Sequence, residues 1–153
     1  MTRTIGVAAV VLGLMVMLML CGCGSSGYID ENGNWNPGSY DGGSATLSRQ
    51  GATVNLTDIT ADFGTSKGSG TFHFWANQEG HAAIEMSGSY SITGSAISAT
   101  ATPVVGTTAQ KAADSLTMSL DIHSATQLDG SVSYTQSSAT YGGDISFTRF
   151  ANQ

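Results

Sequence analysis

Phe72 to Ala101 reads FHFWANQEGHAAIEMSGSYSITGSAISATA, and its side chains alternate between apolar and polar along most of that length. Phe72, Phe74, Ile84, Met86 and Tyr90 share one side, while His73, Glu85, Ser87 and Ser89 fall on the other. A period of two describes strands with one dry face and one wet face. Turn chemistry supplies a register. Asn77-Gln78-Glu79-Gly80 suits a type I turn with Gly80 in the left-handed position of a bulge. Pairing Asn77 with His81 then predicts Phe74 opposite Ile84, Phe72 opposite Met86, and His73 facing Glu85 on the outer side. A one-residue slip would bury Glu85 and expose Ile84, so the phase is strongly specified. Gly94-Ser95 suits a type II′ turn, which sets Ile92 against Ile97, Tyr90 against Ala99 and Gly88 against Ala101.

The same period extends outward from this unit. Leu116, Met118, Leu120 and Ile122 alternate with Thr117, Ser119, Asp121 and His123, a spacing that a helix fits badly. Leu128, Gly130, Val132 and Tyr134 share a parity, as do Ile145 and Phe147. Upstream, a turn at Gln50-Gly51 pairs Leu47 with Val54 and Ala45 with Leu56, although Gln is a poor first residue for a tight primed turn. The predicted strands are 44–49, 52–58, 70–77, 81–93, 96–102, 115–123, 128–136 and 144–150. Long connections are expected over Ile59–Ser69 and Pro103–Asp114, the second with a short helical turn from Thr108 to Ala113.

The fold expected is therefore all-β, an antiparallel up-and-down meander of about eight strands. An open meander leaves two exposed edges, which sheets avoid by closing. A closed barrel is the first expectation and a two-sheet sandwich the second. Ala82, Gly88, Ala99, Ala101 and Gly130 are small residues on the inward parity, and they permit tight curvature. The proportions resemble those of small calycin-type barrels, an analogy of fold that carries no function.

The first two dozen residues have a different character. Arg3 precedes an uncharged apolar run from Ile5 to Leu20, and small Gly22 follows, the layout of an export signal. A permanent transmembrane helix is one alternative, near the lower length limit and without Lys or Arg until Arg49. An ordinary secretory signal that leaves Cys23 as a free thiol is another. The tetrad Leu20-Cys21-Gly22-Cys23 resembles the lipobox of bacterial lipoproteins. That resemblance implies recognition through Leu20 and Gly22, cleavage before Cys23, and acylation of the Cys23 thiol. Membrane lipid would then be the first partner, held through several acyl chains whose buried methylenes contribute about 0.8 kcal/mol each. Gly24 stands where an aspartate in this class often signals inner-membrane retention, so the outer membrane is expected in a two-membrane host. The implied layout is a signal over 1–22, a flexible tether over 23–39 and a β-barrel over 40–153.

Composition narrows the function. Past Cys23 four basic residues, Arg49, Lys67, Lys111 and Arg149, stand against eleven acidic ones, a net of −7. Without a basic patch, nucleic acid is not an expected partner. With Cys21 removed and Cys23 acylated, no cysteine remains for a disulfide, a thiol nucleophile or a thiolate metal site. The tether segment GSSGYIDENGNWNPG, Gly24 to Gly38, would span about 20 Å as a flexible chain, with Tyr28 and Trp35 its only large rings.

Chemistry-bearing clusters are sparse. His73 with Glu85, and Asp121 with His123, read first as exposed polar strand faces; a metal-dependent hydrolase using His73, Glu85 and His123 is the least favoured reading. Ser66-Lys67-Gly68-Ser69-Gly70 lacks the order of a phosphate loop, and Asp58 with Asp62 reads as turn chemistry. No enzyme and no cofactor are expected. Trp75 has the parity of the outer face, beside Ala83, where it would anchor a protein or a sugar unless the tether or a loop covers it. The leading expectation is a lipid-anchored, noncatalytic barrel that binds a small apolar ligand or an envelope protein. Phe72, Phe74, Ile84, Met86, Tyr90, Leu116, Met118, Leu120 and Val132 would line its interior site, and Trp75 would meet a partner outside. The alternative is a structural envelope protein that associates through a sheet edge or through Trp75.

Overall fold

The computed structural model describes residues 37–64, 68–104 and 113–151. The signal segment, Cys23, the tether to residue 36 and the helical turn expected from Thr108 all lie outside them, as does most of the Ser66-Lys67 loop. Eight strands follow one another: β1 (Gly38–Arg49), β2 (Ala52–Phe63), β3 (Ser69–Gln78), β4 (Ile84–Thr93), β5 (Ala96–Pro103), β6 (Ser115–Ser124), β7 (Gln127–Gln136) and β8 (Ala139–Arg149). Each pairs antiparallel with its neighbours in sequence, and β1 closes against β8. The result is the closed up-and-down barrel, not the sandwich. Every described strand has two partners, so the edge through which association was envisaged is absent.

Between β4 and β5 the expected pairings hold. Ile92 faces Ile97, Tyr90 faces Ala99 and Gly88 faces Ala101. Gly94 takes a φ of 61° and Ser95 does not enter the left-handed region, as a type II′ turn requires. The turn at Gln50-Gly51 forms too, pairing Leu47 with Val54 and Ala45 with Leu56. Gln50 accepts a φ of 47° despite its side chain.

The hairpin joining β3 to β4 departs from expectation by two residues. Ala76 faces Ile84, Phe74 faces Met86, Phe72 faces Gly88 and Trp75 faces Glu85. A two-residue shift preserves every facing, so alternation alone does not choose between the registers. Volume does. The observed pairing sets the ring of Phe72 against Gly88 and that of Tyr90 against Gly70, where an added Cβ would lie 2.8 Å from the tyrosine ring. The turn tightens at Gln78, whose carbonyl accepts from the His81 amide at 3.0 Å, and Ala82 is exposed in the loop rather than inward.

The departures in β1 and β2 share one cause. β1 starts at Gly38, well before the expected residue 44, and β2 runs to Phe63, five residues past the expected end. In β1 the buried positions are Tyr40 and Gly42, then Ala45 and Leu47. In β2 they are Val54 and Leu56, then Ile59, Ala61 and Phe63. Parity inverts in each strand because each carries a β-bulge. Gly43 has a φ of 57°, and its amide donates to Asp41 Oδ1 at 2.8 Å; Asp58 has a φ of 50° and accepts from Asn77 Nδ2 at 2.8 Å. A reader following one parity loses both strands at these points. β5 likewise runs to Pro103 and β8 begins at Ala139, five residues ahead of expectation.

The inward side chains form one hydrophobic core from Tyr40 to Phe147. Neighbouring backbone approaches most closely at Gly88 and Gly130. A Cβ on Gly88 would sit 1.9 Å from the Thr100 carbonyl oxygen, and one on Gly130 would sit 2.0 Å from that of Ser119. Only glycine fits at such barrel corners.

Candidate functional site

The interior is built from both ends. Near the β2–β3 connection the rings of Tyr40, Phe63, Phe72 and Tyr90 cluster, with Phe63 centroids 5.7 Å from Tyr40, 5.2 Å from Phe72 and 5.4 Å from Tyr90. Edge-on and tilted contacts at these distances suit the ring quadrupoles. The Tyr90 hydroxyl donates to the Gly64 carbonyl at 2.6 Å. Towards the opposite end a polar chain crosses the core. The Tyr134 hydroxyl donates to Gln78 Oε1 at 2.9 Å, and Gln78 Nε2 donates to Gln136 Oε1 at 3.3 Å. Burial first, then the nearby Asp114 and Tyr141, push ionisation of the Tyr134 phenol far up, so it stays a donor.

All nine residues expected to line the interior do face it. Phe72, Phe74, Ile84, Met86, Leu116, Leu120, Tyr90 and Val132 are at most 2% exposed, and Met118 is 4% exposed. A void of ligand size would leave accessible surface on its lining, and these side chains carry almost none. Their neighbours include Tyr40, which the sequence reading placed ahead of the first strand, and Ile59, Ala61 and Phe63, which it placed in a long connection. The signal for them was present as a second alternating phase on the far side of each bulge.

Three clefts among the described residues lie on the outer wall. One cleft of about 540 Å³ is lined by Asp62, Thr71, His73, Ser87, Ser39 and the glycines Gly38, Gly64 and Gly88, with Phe63 and Phe72 beneath. A second, of about 730 Å³, shares Gly64 and Thr71 with it and continues past Ser69, Ser89, Ser91, Ser98 and Thr100. A third, of about 510 Å³, lies on the β6–β8 wall and includes Asp121, His123, Asp129 and Asp144. Much of the outer wall is hydroxylated. A single cross-strand row runs Thr71, Ser89, Thr100, Thr117, Ser133, Gly142, Ser48, Thr53.

Trp75 stands on this outer face, half-buried, between Thr60 of β2 and Glu85 of β4. Its neighbour is therefore Glu85 and not Ala83, a consequence of the shifted register. One step along β3, His73 pairs with Asp62 and Ser87 and reaches diagonally to Glu85, with 3.3 Å between Nε2 and Oε1. His123 lies 3.5 Å from Asp129 on the β6–β7 wall. Asp129 is held below the ordinary carboxylate value, chiefly by hydrogen bonds from Ser146 and Gln127, with His123 a smaller contribution. Asp58 and Asp62 occupy a bulge and an outward strand position, a setting for turn and surface chemistry. Among the described residues no group of three His, Cys, Asp or Glu is placed to hold a metal ion.

No family model and no curated protein matches the chain. Solved structures share its fold. A redesigned β-barrel, b11L5F_LGL, superposes with a TM-score of 0.55 at 13% identity, covering 80% of this chain and 98% of the other. A second barrel, EF1p2_mFAP2b bound to DFHBI, superposes with a TM-score of 0.55 at 12% identity, covering 74% of this chain and 93% of that one. At these identities the likeness is one of fold.

Proposed function

We propose that this chain is a lipid-anchored, noncatalytic barrel of the cell envelope that works by binding, and that it binds on its outer wall. The anchor rests on the lipobox-like tetrad ending at Cys23. The observation that carries the binding mode is the contrast between an interior whose candidate lining is at most 4% exposed and a wall that bears clefts of about 540 and 730 Å³. Clefts of that size are on the scale of small-ligand and glycan sites. The outer membrane is the proposed location where the host has one.

A second reading keeps the small apolar ligand inside the barrel. The DFHBI-bound barrel of the same fold supports it. In this chain such a ligand would have to displace side chains such as Met86 and Met118, the most adaptable of the lining. Native mass spectrometry on protein extracted from its own membranes separates the readings. The expected species carries acyl mass on Cys23 and no other stoichiometric small molecule. A retained apolar ligand, lost on unfolding, would establish the interior site instead. Incorporation of radiolabelled palmitate into the wild type, absent from Cys23→Ser, tests the anchor separately.

A further inference from the structure

We propose that the β2–β4 wall binds a neutral glycan, with Trp75 as the stacking platform and Asp62, His73, Glu85 and Ser87 as the polar groups that fix its hydroxyls. This deepens the outer-wall reading above and rests on it. Trp75 lies on the outer face of β3. Its ring is half-buried on a strand whose other outward residues are polar, and among the described residues its indole N–H has no acceptor. An amphipathic ring of this kind offers an apolar face and one free donor.

The surroundings complete a site of mixed character. Immediately along β3 the row Asp62–His73–Ser87 crosses three strands, and Glu85 is tied to His73 at 3.3 Å. These groups supply carboxylate acceptors, hydroxyls and an imidazole in one small area. The cleft floor is different: Gly64 and Gly88 carry no side chain, and the edges of Phe63 and Phe72 lie just beneath. A polar rim over an apolar floor matches a sugar ring, which presents hydroxyls at its edge and C–H groups on its face. The joined clefts follow β3 from His73 to Ser69, and Trp75 stands one outward position beyond His73, so the stretch from Trp75 to Ser69 spans about 20 Å at the rise of a strand. That length accommodates a short oligosaccharide rather than a single ring.

Charge and topology exclude the nearest competitors. Among the described residues no Lys or Arg is in the lining of either cleft, while Asp62 lines one and Glu85 stands beside His73, so an anionic ligand would be repelled. An extended peptide docks by adding a strand to a free edge, and the closed barrel offers none among its described strands. An uncharged chain that hydrogen-bonds through hydroxyls meets neither obstacle.

The test uses the full chain in detergent micelles. In a Trp35→Phe background Trp75 is the remaining tryptophan, and its emission reports directly on the site. Chitotetraose, cellotetraose and maltotetraose are the probes. Saturable change of Trp75 emission by at least one is expected, with calorimetry showing binding at least about tenfold weaker in Trp75→Ala, as loss of an aromatic anchor predicts. Trp75→Phe should retain part of the affinity, Asp62→Asn should weaken it, and Asp144→Asn on the far wall should leave it unchanged. Circular dichroism verifies that each variant keeps its sheet. Silence of Trp75 towards all three sugars at millimolar concentration, or undiminished binding by folded Trp75→Ala, would overturn the proposal. Preferential binding of dextran sulfate would overturn its neutral-ligand clause. Palmitate labelling and the native mass spectrum are read independently, so a failed glycan site leaves the anchor and the outer-wall mode standing or falling on their own results.

Discussion

The wall from β4 to β7 and the arm formed by β1 and β2 reach the same curvature by opposite means. In the first, inward residues keep one parity through each strand, and the bends fall at Gly88 and Gly130, where missing side chains let neighbouring backbones close in. In the second, the bends fall at bulges around Gly43 and Asp58, and the parity of burial inverts at each. A glycine corner preserves the period and costs a side chain. A bulge preserves the side chains and costs the period. The barrel closes because β1, reset by its bulge, returns to β8 with Tyr40 against Arg149 and Ser48 against Gly142.

The comparison is broken most severely at the glycine corners. Gly130→Ala should lose about 3 kcal/mol or more, since its Cβ would strike backbone rather than a movable side chain. Gly142→Ala, whose Cβ would meet nothing nearer than 3.9 Å, should stay within about 0.5 kcal/mol of wild type by urea denaturation. If both are equally mild, the corner argument is wrong.

Tyr134→Phe comes next, at about 1–2 kcal/mol, because it strips the donor from buried Gln78 Oε1. Its titration has a defined sign. The folded value is raised, so the contribution is whole below the ordinary value of 10.0 and falls away as pH climbs past it. Wild type should therefore lose stability in strong alkali more steeply than Tyr134→Phe.

Gly43→Ala sharpens the other half of the comparison. At a φ of 57° alanine is strained, and a loss of about 1 kcal/mol is expected, smaller than at the corner because nothing lies within 4 Å of the new Cβ. A loss equal to that of Gly130→Ala would mean that bulge and corner are not distinct devices. The smallest effect belongs to Asp129→Asn on the outer wall. Its folded value is depressed, so its stabilisation is present above 3.8 and disappears as pH falls. The variant should differ from wild type slightly at neutral pH and converge with it in acid, as followed by thermal melts across that range.

How much was legible follows from these devices. The β4–β5 register could be read outright, because Gly94-Ser95 admits one turn type and the flanking residues agree with it. The β3–β4 register could be read only modulo two residues, since both alternatives bury Phe74, Ile84 and Met86; placing Phe72 on Gly88 is a matter of volume across strands. Tyr40 was read as lying ahead of the first strand and Phe63 as loop, for want of the bulges that bring them inward. Of the outer site, Trp75 was visible by its parity, but its neighbours were not. Asp62 and Ser87 lie far apart in the chain and meet beside His73 only when three strands align.

The amino-acid order by itself determined the strand character of the chain, its antiparallel neighbours and the facing of each residue within an unbroken period, because these depend on local alternation and on turns of a few residues. Closure of β1 on β8, the second phase of the bulged arm and the juxtaposition of Trp75 with Glu85 were decided only in three dimensions. They depend on how volumes fit between strands distant in sequence, and no local pattern carries that sum.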